Sequence, residues 1–190
     1  MYTKLVMGAF FGNIAIKTDN RDGVVKTIKE SGEPMFIAGP VDGWLLLFPS
    51  DDFKISKFAQ KFSKEFNTIS FSGQVFDSDD LFINFYSNGE PIVDYLYDRM
   101  DGGGPQFNGG DEKTFKDFFH LADTKKIHEA LFEDGGDYVF IEGRYQDFLK
   151  ACGLPLALGN LWGYEYIERA SDDGRSEEEA KDLPNLEKIF

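Results

Sequence analysis

The chain has 190 residues, 42% of them apolar, with 20 Phe, 8 Tyr and 2 Trp; that supports an aromatic-rich core and excludes a globally disordered chain. Its 34 acidic and 20 basic side chains leave a formal net charge of −14, a field that repels nucleic-acid phosphates and anionic membrane surfaces. Cys152 is the only cysteine, so no intrachain disulfide forms, as suits a reducing cytoplasm.

Residues 5–16 are apolar but contain Gly12 and Asn13, lack a following small-x-small cleavage pattern, and fall short of the about 20 residues that span a bilayer. They read as a first strand of a soluble cytoplasmic protein. Asp22 is the expected cap of a helix over 23–31, with Val24, Val25 and Ile28 on one face and Gly32 as its stop. Residues 34–38 and 44–48 read as strands, the second apolar throughout and so buried on both faces. Ser50 or Asp51 caps the next helix. Its Ile55, Phe58, Ala59, Phe62 and Phe66 form one stripe, while Lys54, Lys57, Lys61 and Lys64 form a solvated side.

Residues 69–97 carry the strongest local signal. Asp77-Ser78-Asp79-Asp80 is a polar turn and Asn88-Gly89 suits a type I′ hairpin, so three antiparallel strands follow one another. This meander is expected at the centre of the sheet. A two-residue turn sets Phe85 opposite Ile92 and Leu81 opposite Leu96 on one face, and Asn84 opposite Val93 and Phe82 opposite Tyr95 on the other. Residues 98–111 are glycine-rich and read as a loop. Asp111 then caps a helix carrying Phe115, Phe118, Phe119 and Ala122. A second helix starts at Thr124, and a third covers 141–152, closed by Gly153 and Pro155. Residues 161–167 alternate as a strand would, and an acidic tail follows from Ser171, whose Leu183, Leu186, Ile189 and Phe190 are suited to docking back or binding a partner.

The fold expected is α+β: a largely antiparallel sheet in the order β-α-β-β-α-β-β-β, N-terminal helices on one face and a C-terminal helical segment over part of the other. The organisation is a sheet domain over 1–100, a helical segment over 101–170 packed on it as one unit, and an acidic tail over 171–190.

Four short motifs stand in order along the chain: Tyr86-x-Asn88-Gly89-Glu90, Gly109-Gly110-Asp111, Gly153-Leu154-Pro155 and Gly163-Tyr164-x-Tyr166-Ile167. Together, over most of residues 8–168, they resemble an uncharacterised family of bacterial cytoplasmic proteins. The resemblance implies a bacterial source and a compact single fold, and brings no activity, substrate or catalytic residues with it.

No reaction is spelled out by motif spacing. The glycine loop lacks G-x-x-x-x-G-K-[ST] and the strand–turn–helix setting of a dinucleotide site. Counted from Asp77, an EF-hand would need Gly at Phe82 and Glu at Asn88. His120 and His128 have no zinc spacing. Cys152, in phase with Phe148 and Leu149 at a helix C-terminus, reads as a core residue. No metal and no cofactor is therefore expected.

The function expected is that of a non-enzymatic, cytoplasmic protein-interaction module whose acidic surface engages a basic protein partner, as an immunity-type inhibitor covers a toxin. Tyr86, Tyr95, Tyr97, Trp162, Tyr164 and Tyr166 are the aromatic candidates for that contact. The alternative is an enzyme or small-ligand binder with a site between the sheet and the C-terminal helices, using Asp98, Asp101, Asp111 and His120. Neither nucleic acid nor membrane is an expected partner.

Overall fold

A computed structural model describes residues 10–98, 105–108, 112–119, 122–133, 138, 140–160, 163–172 and 183–190. The strands are β1 (Phe11–Lys17), β2 (Met35–Val41), β3 (Trp44–Pro49), β4 (Ile69–Phe76), β5 (Asp80–Ser87), β6 (Glu90–Tyr97), β7 (Gln106–Asn108) and β8 (Glu187–Ile189). The helices are α1 (Arg21–Ser31), α2 (Ile55–Glu65), α3 (Glu112–Phe118), α4 (Thr124–Leu131), α5 (Ile141–Cys152) and α6 (Tyr164–Asp172). The fold is α+β, and the order expected for the first eight elements is the order found.

All strands pair antiparallel in one sheet ordered β7-β6-β5-β4-β1-β3-β2-β8. Alternation sends Ile14 and Ile16 of β1 to one face, where they pack with Val24 and Ile28 of α1 and Phe58, Ala59 and Phe62 of α2. Phe11 and Ala15 go to the other face, against a core built with Phe115, Ile127, Leu131, Tyr145, Phe148 and Ile167. N-terminal helices thus cover one face and C-terminal helices the other.

Local chemistry explains the boundaries. Asn20, rather than Asp22, caps α1: its side chain accepts from Gly23 N at 3.0 Å, and Gly32 ends the helix at φ 71°. Asp51 caps the 3-10 turn Asp52–Lys54 that leads into α2, accepting from Phe53 N at 3.0 Å. Gly153 closes α5 at φ 67°.

Four sequence expectations need correction. The meander β4–β6 together with β7 forms one half of the sheet, and of the two central strands, β4 belongs to the meander while β1, paired with β3 and β4, does not. The hairpin register shifts between Phe85 and Tyr86, so Phe85 faces Val93, Phe82 faces Leu96 and Leu81 faces Tyr97. Pro91 has no N–H for the ladder, and the bulge absorbs Ile92 as an extra residue, which turns the rest of β6 over. The segment expected as a strand over 161–167 enters helix α6 at Tyr164. Tyr164 and Ile167 share a helical face toward the sheet, Tyr166 points outward at 45% exposure, and Glu165 pairs with Arg169 at 2.8 Å one turn on. Finally, β7 lies inside the stretch expected as a loop and pairs with β6.

Of residues 171–190, 171–172 finish α6 and 183–190 dock back. In β8, Ile189 sits opposite Met35 with 2% exposure, and Pro184 O accepts from Gly39 N at 2.7 Å.

Candidate functional site

Helix α2 is amphipathic along its whole length but shorter than the sheet it covers. Its contact with β5 and β6 concentrates at the hairpin end. There Tyr86 and Ser56 share a 2.5 Å hydroxyl hydrogen bond, Gln60 Nε2 donates to Gly89 O at 2.9 Å, and Gly89 N donates to Ser63 Oγ at 3.1 Å. Further along, alternation places Phe76 of β4, Phe82 and Asn84 of β5, and Asp94 and Leu96 of β6 on this same face. Phe76, Phe82, Asn84 and Leu96 are only half-buried, and Asp94 is exposed.

An aromatic patch occupies this open corner. The Phe76 ring meets Phe10 edge-on at 4.4 Å, Phe82 at 5.5 Å and Phe53 at 6.4 Å. Phe53 remains 86% exposed and Phe10 51% exposed. Phe53 stands outward because it precedes α2 in the 3-10 turn, off the Ile55/Phe58/Phe62 stripe.

Carboxylates surround the patch. Asp94 accepts from Asn84 Nδ2 at 2.9 Å, and Asp80 and Asp98 share its face by strand alternation. Beside Phe53, the Asp52 carboxyl is pushed up to about 6 by burial, with Glu165 and Asp51 adding repulsion. Asp51 is held below the ordinary carboxylate range by its bond to Lys54. The arrangement is an apolar area bordered by carboxylates, of which Asp51 is paired with Lys54 at 2.8 Å.

Of the described aromatic residues singled out from sequence, Tyr95 and Tyr97 lie together beside Arg144 and the others are scattered. Tyr86 lies under α2, and burial raises its phenol. Tyr95 is fully buried on the opposite face and donates to Leu131 O at 2.7 Å. Tyr97, half-buried, has the Arg144 guanidinium 4.5 Å from its ring. Tyr164 packs on Phe36 at 5.1 Å, far along the sheet beside β2. Tyr166 is exposed on α6. Of the other candidates, Asp98 follows β6 at the margin of the aromatic patch, whereas Asp101, Asp111, His120 and Trp162 lie outside the described residues. Sequence reasoning missed Phe10, Phe53, Phe76 and Phe82. The available signal was Phe76 and Phe82 on a sheet face that also carries Ser70, Ser72, Gln74, Asn84 and Asp94.

Between the sheet and the C-terminal helices, side chains fill the described space. Phe85 contacts Phe71 at 4.9 Å and Phe115 at 5.4 Å, and Phe115 contacts Phe148 at 5.5 Å. Tyr145 Oη donates to Asn13 Oδ1 at 2.9 Å, and Asn13 Nδ2 donates to Leu158 O at 2.7 Å. Arg144, 2% exposed, donates to Ala130 O at 2.8 Å and Glu133 O at 3.1 Å. Burial pushes the Cys152 thiol well up, which disfavours a thiolate nucleophile. Among the described residues, no three His, Cys, Asp or Glu side chains converge as a metal site would need, and no helix is long and apolar enough to cross a membrane.

No protein-family model, curated protein or solved structure matches the chain.

Proposed function

We propose that the protein is a non-catalytic interaction module whose open aromatic face binds a basic protein partner. The observation that carries this reading is the ring cluster of Phe10, Phe53, Phe76 and Phe82, left in water at 86% exposure for Phe53 and bordered by carboxylates. Clustered exposed rings are costly in solution and dominate binding energy once a partner covers them. Carboxylates around them steer a basic surface and reject an acidic one. An immunity-type inhibitor covering a basic toxin is the kind of role that needs this combination, and a reducing bacterial cytoplasm fits the lone buried Cys152.

A ligand site between the sheet and the C-terminal helices is the weaker reading, because phenylalanine rings occupy the described part of that space. The test is affinity capture with the wild-type chain and with the double variant Phe10→Ser, Phe53→Ser, each at low and at raised salt. A basic protein retained by the wild type, released by salt and lost by the double variant is the expected result. Undiminished retention by the variant rejects this face as the contact surface.

A further inference from the structure

Along the outer side of α2, from Lys54 to Lys64, an open cleft of about 750 Å³ runs between the helix and the β5–β6 hairpin. Lys57, Lys61 and Lys64 line it at helical spacings of four and three, so their side chains rise from one face. Of the other described lysines, Lys26, Lys54, Lys125, Lys126, Lys150 and Lys188 pair with carboxylates, and Lys17, Lys29 and Lys116 form no ion pair with a described residue. Lys57, Lys61 and Lys64 form no ion pair with any described residue. The three lysines rise from one exposed helix face, and a bound anion would offset the mutual repulsion of their ammonium groups.

The walls are fixed before any ligand arrives. Gln60 Nε2 and Ser63 Oγ tie the hairpin turn at Gly89 to the helix. A Cβ at position 89 would come within 2.7 Å of Lys64 Cβ, so glycine there lets turn and lysine stem meet closely.

We propose that this cleft binds a compact polyanion of phosphate chemistry. Lysine serves as a point-charge phosphate donor. From Lys57 to Lys64 the row extends about 10 Å at the helical rise of about 1.5 Å per residue, and a volume near 750 Å³ is that of a small-molecule site. Two carboxylates also line it: Glu33, bonded to Lys54 at 3.0 Å, and Glu90. A nucleic-acid strand leaving the cleft would meet the negative field of the whole molecule. A short oligophosphate stays within the positive stretch. This site is independent of the aromatic patch and of the partner proposed for it.

The probe is inorganic tripolyphosphate, titrated calorimetrically at low ionic strength into the wild type and K57Q/K61Q/K64Q. A charge-matched control, K26Q/K125Q/K150Q, removes the same charge elsewhere. The expected result is saturable binding to the wild type and control, weakened at least about tenfold in the cleft variant. Amide shifts at Gln60, Lys64 and Gly89 in the titrated wild type read the same site without any substitution. No saturable binding overturns the proposal, as does equal binding by the cleft variant. Tighter binding of a single-stranded oligonucleotide through the same lysines also overturns it, in favour of nucleic acid.

Discussion

Position 73 has no room for a side chain. Gly73 lies in β4 directly beneath the Tyr145 ring, and a Cβ there would overlap Oη and Cζ of a tyrosine that is itself fully buried. Tyr145 cannot retreat without breaking its bond to Asn13. Gly73→Ala should therefore lower the free energy of unfolding by about 1–3 kcal/mol, read as an earlier midpoint in urea denaturation. Asp52 is the residue with a pH signature. Its carboxyl is pushed up to about 6 in the folded chain, chiefly by burial, from an ordinary value near 3.8. The folded state therefore binds this proton more tightly than the unfolded state does. The benefit is complete below the unfolded value and is lost as pH rises toward 6. Asp52→Asn should remove that decline and raise stability at pH 7 by about 1 kcal/mol, after discounting for the part of the carboxyl that water reaches. Denaturation midpoints at pH 4 and pH 7 for both proteins check it; equal pH dependence would contradict the assignment.

Among the elements, those fixed by their own side chains were legible in the sequence. The α2 stripe, the glycine stops at Gly32 and Gly153 and the Asn88-Gly89 turn each depend on chemistry within a few residues. Elements decided by distant packing were not. Trp162, Tyr164 and Tyr166 suggest a period of two, but the contact of Tyr164 with Phe36 and burial of Ile167 favour helix α6. The bulge beside Pro91 depends on which face of β6 the C-terminal core accepts. Strand β8 is a third case: its three residues carry no strand signal, and only the edge of β2 gives them one. Removing residues 183–190 should lower stability by about 3 kcal/mol or more, since Leu183 and Ile189 are both buried. It should also promote self-association through the newly bare β2 edge. Light scattering on the eluting truncated protein, with its urea midpoint, tests both; a monomer of unchanged stability would refute them.

For the whole molecule, composition anticipated an aromatic-rich core, but not where rings stay exposed. Among the described candidates, only Asp98 falls at the margin of the aromatic patch. The patch arises because α2 is shorter than the sheet face, a relation between two elements that neither sequence segment contains. The two cores share strands β1, β2 and β3; β1 packs Ile14 and Ile16 into one and Phe11 and Ala15 into the other, as β3 does with Leu45 and Leu47 against Leu46 and Phe48. Loss of either core exposes the back of the other, so unfolding should be a single transition. Far-UV and near-UV circular dichroism should give coincident denaturation curves; two separated midpoints would show that the layers melt independently. The place of β1 also sets an assembly order. The β2–β3 hairpin and the β4–β6 meander can each close from neighbouring residues, whereas β1 needs partners much later in the chain on both sides. It is synthesised before either of them and waits with both ladders unmade. Insertion of β1 between the two pieces is then the step expected to be slow, and a nascent chain stalled before β4 would leave the β4-facing edge of β1 unpaired.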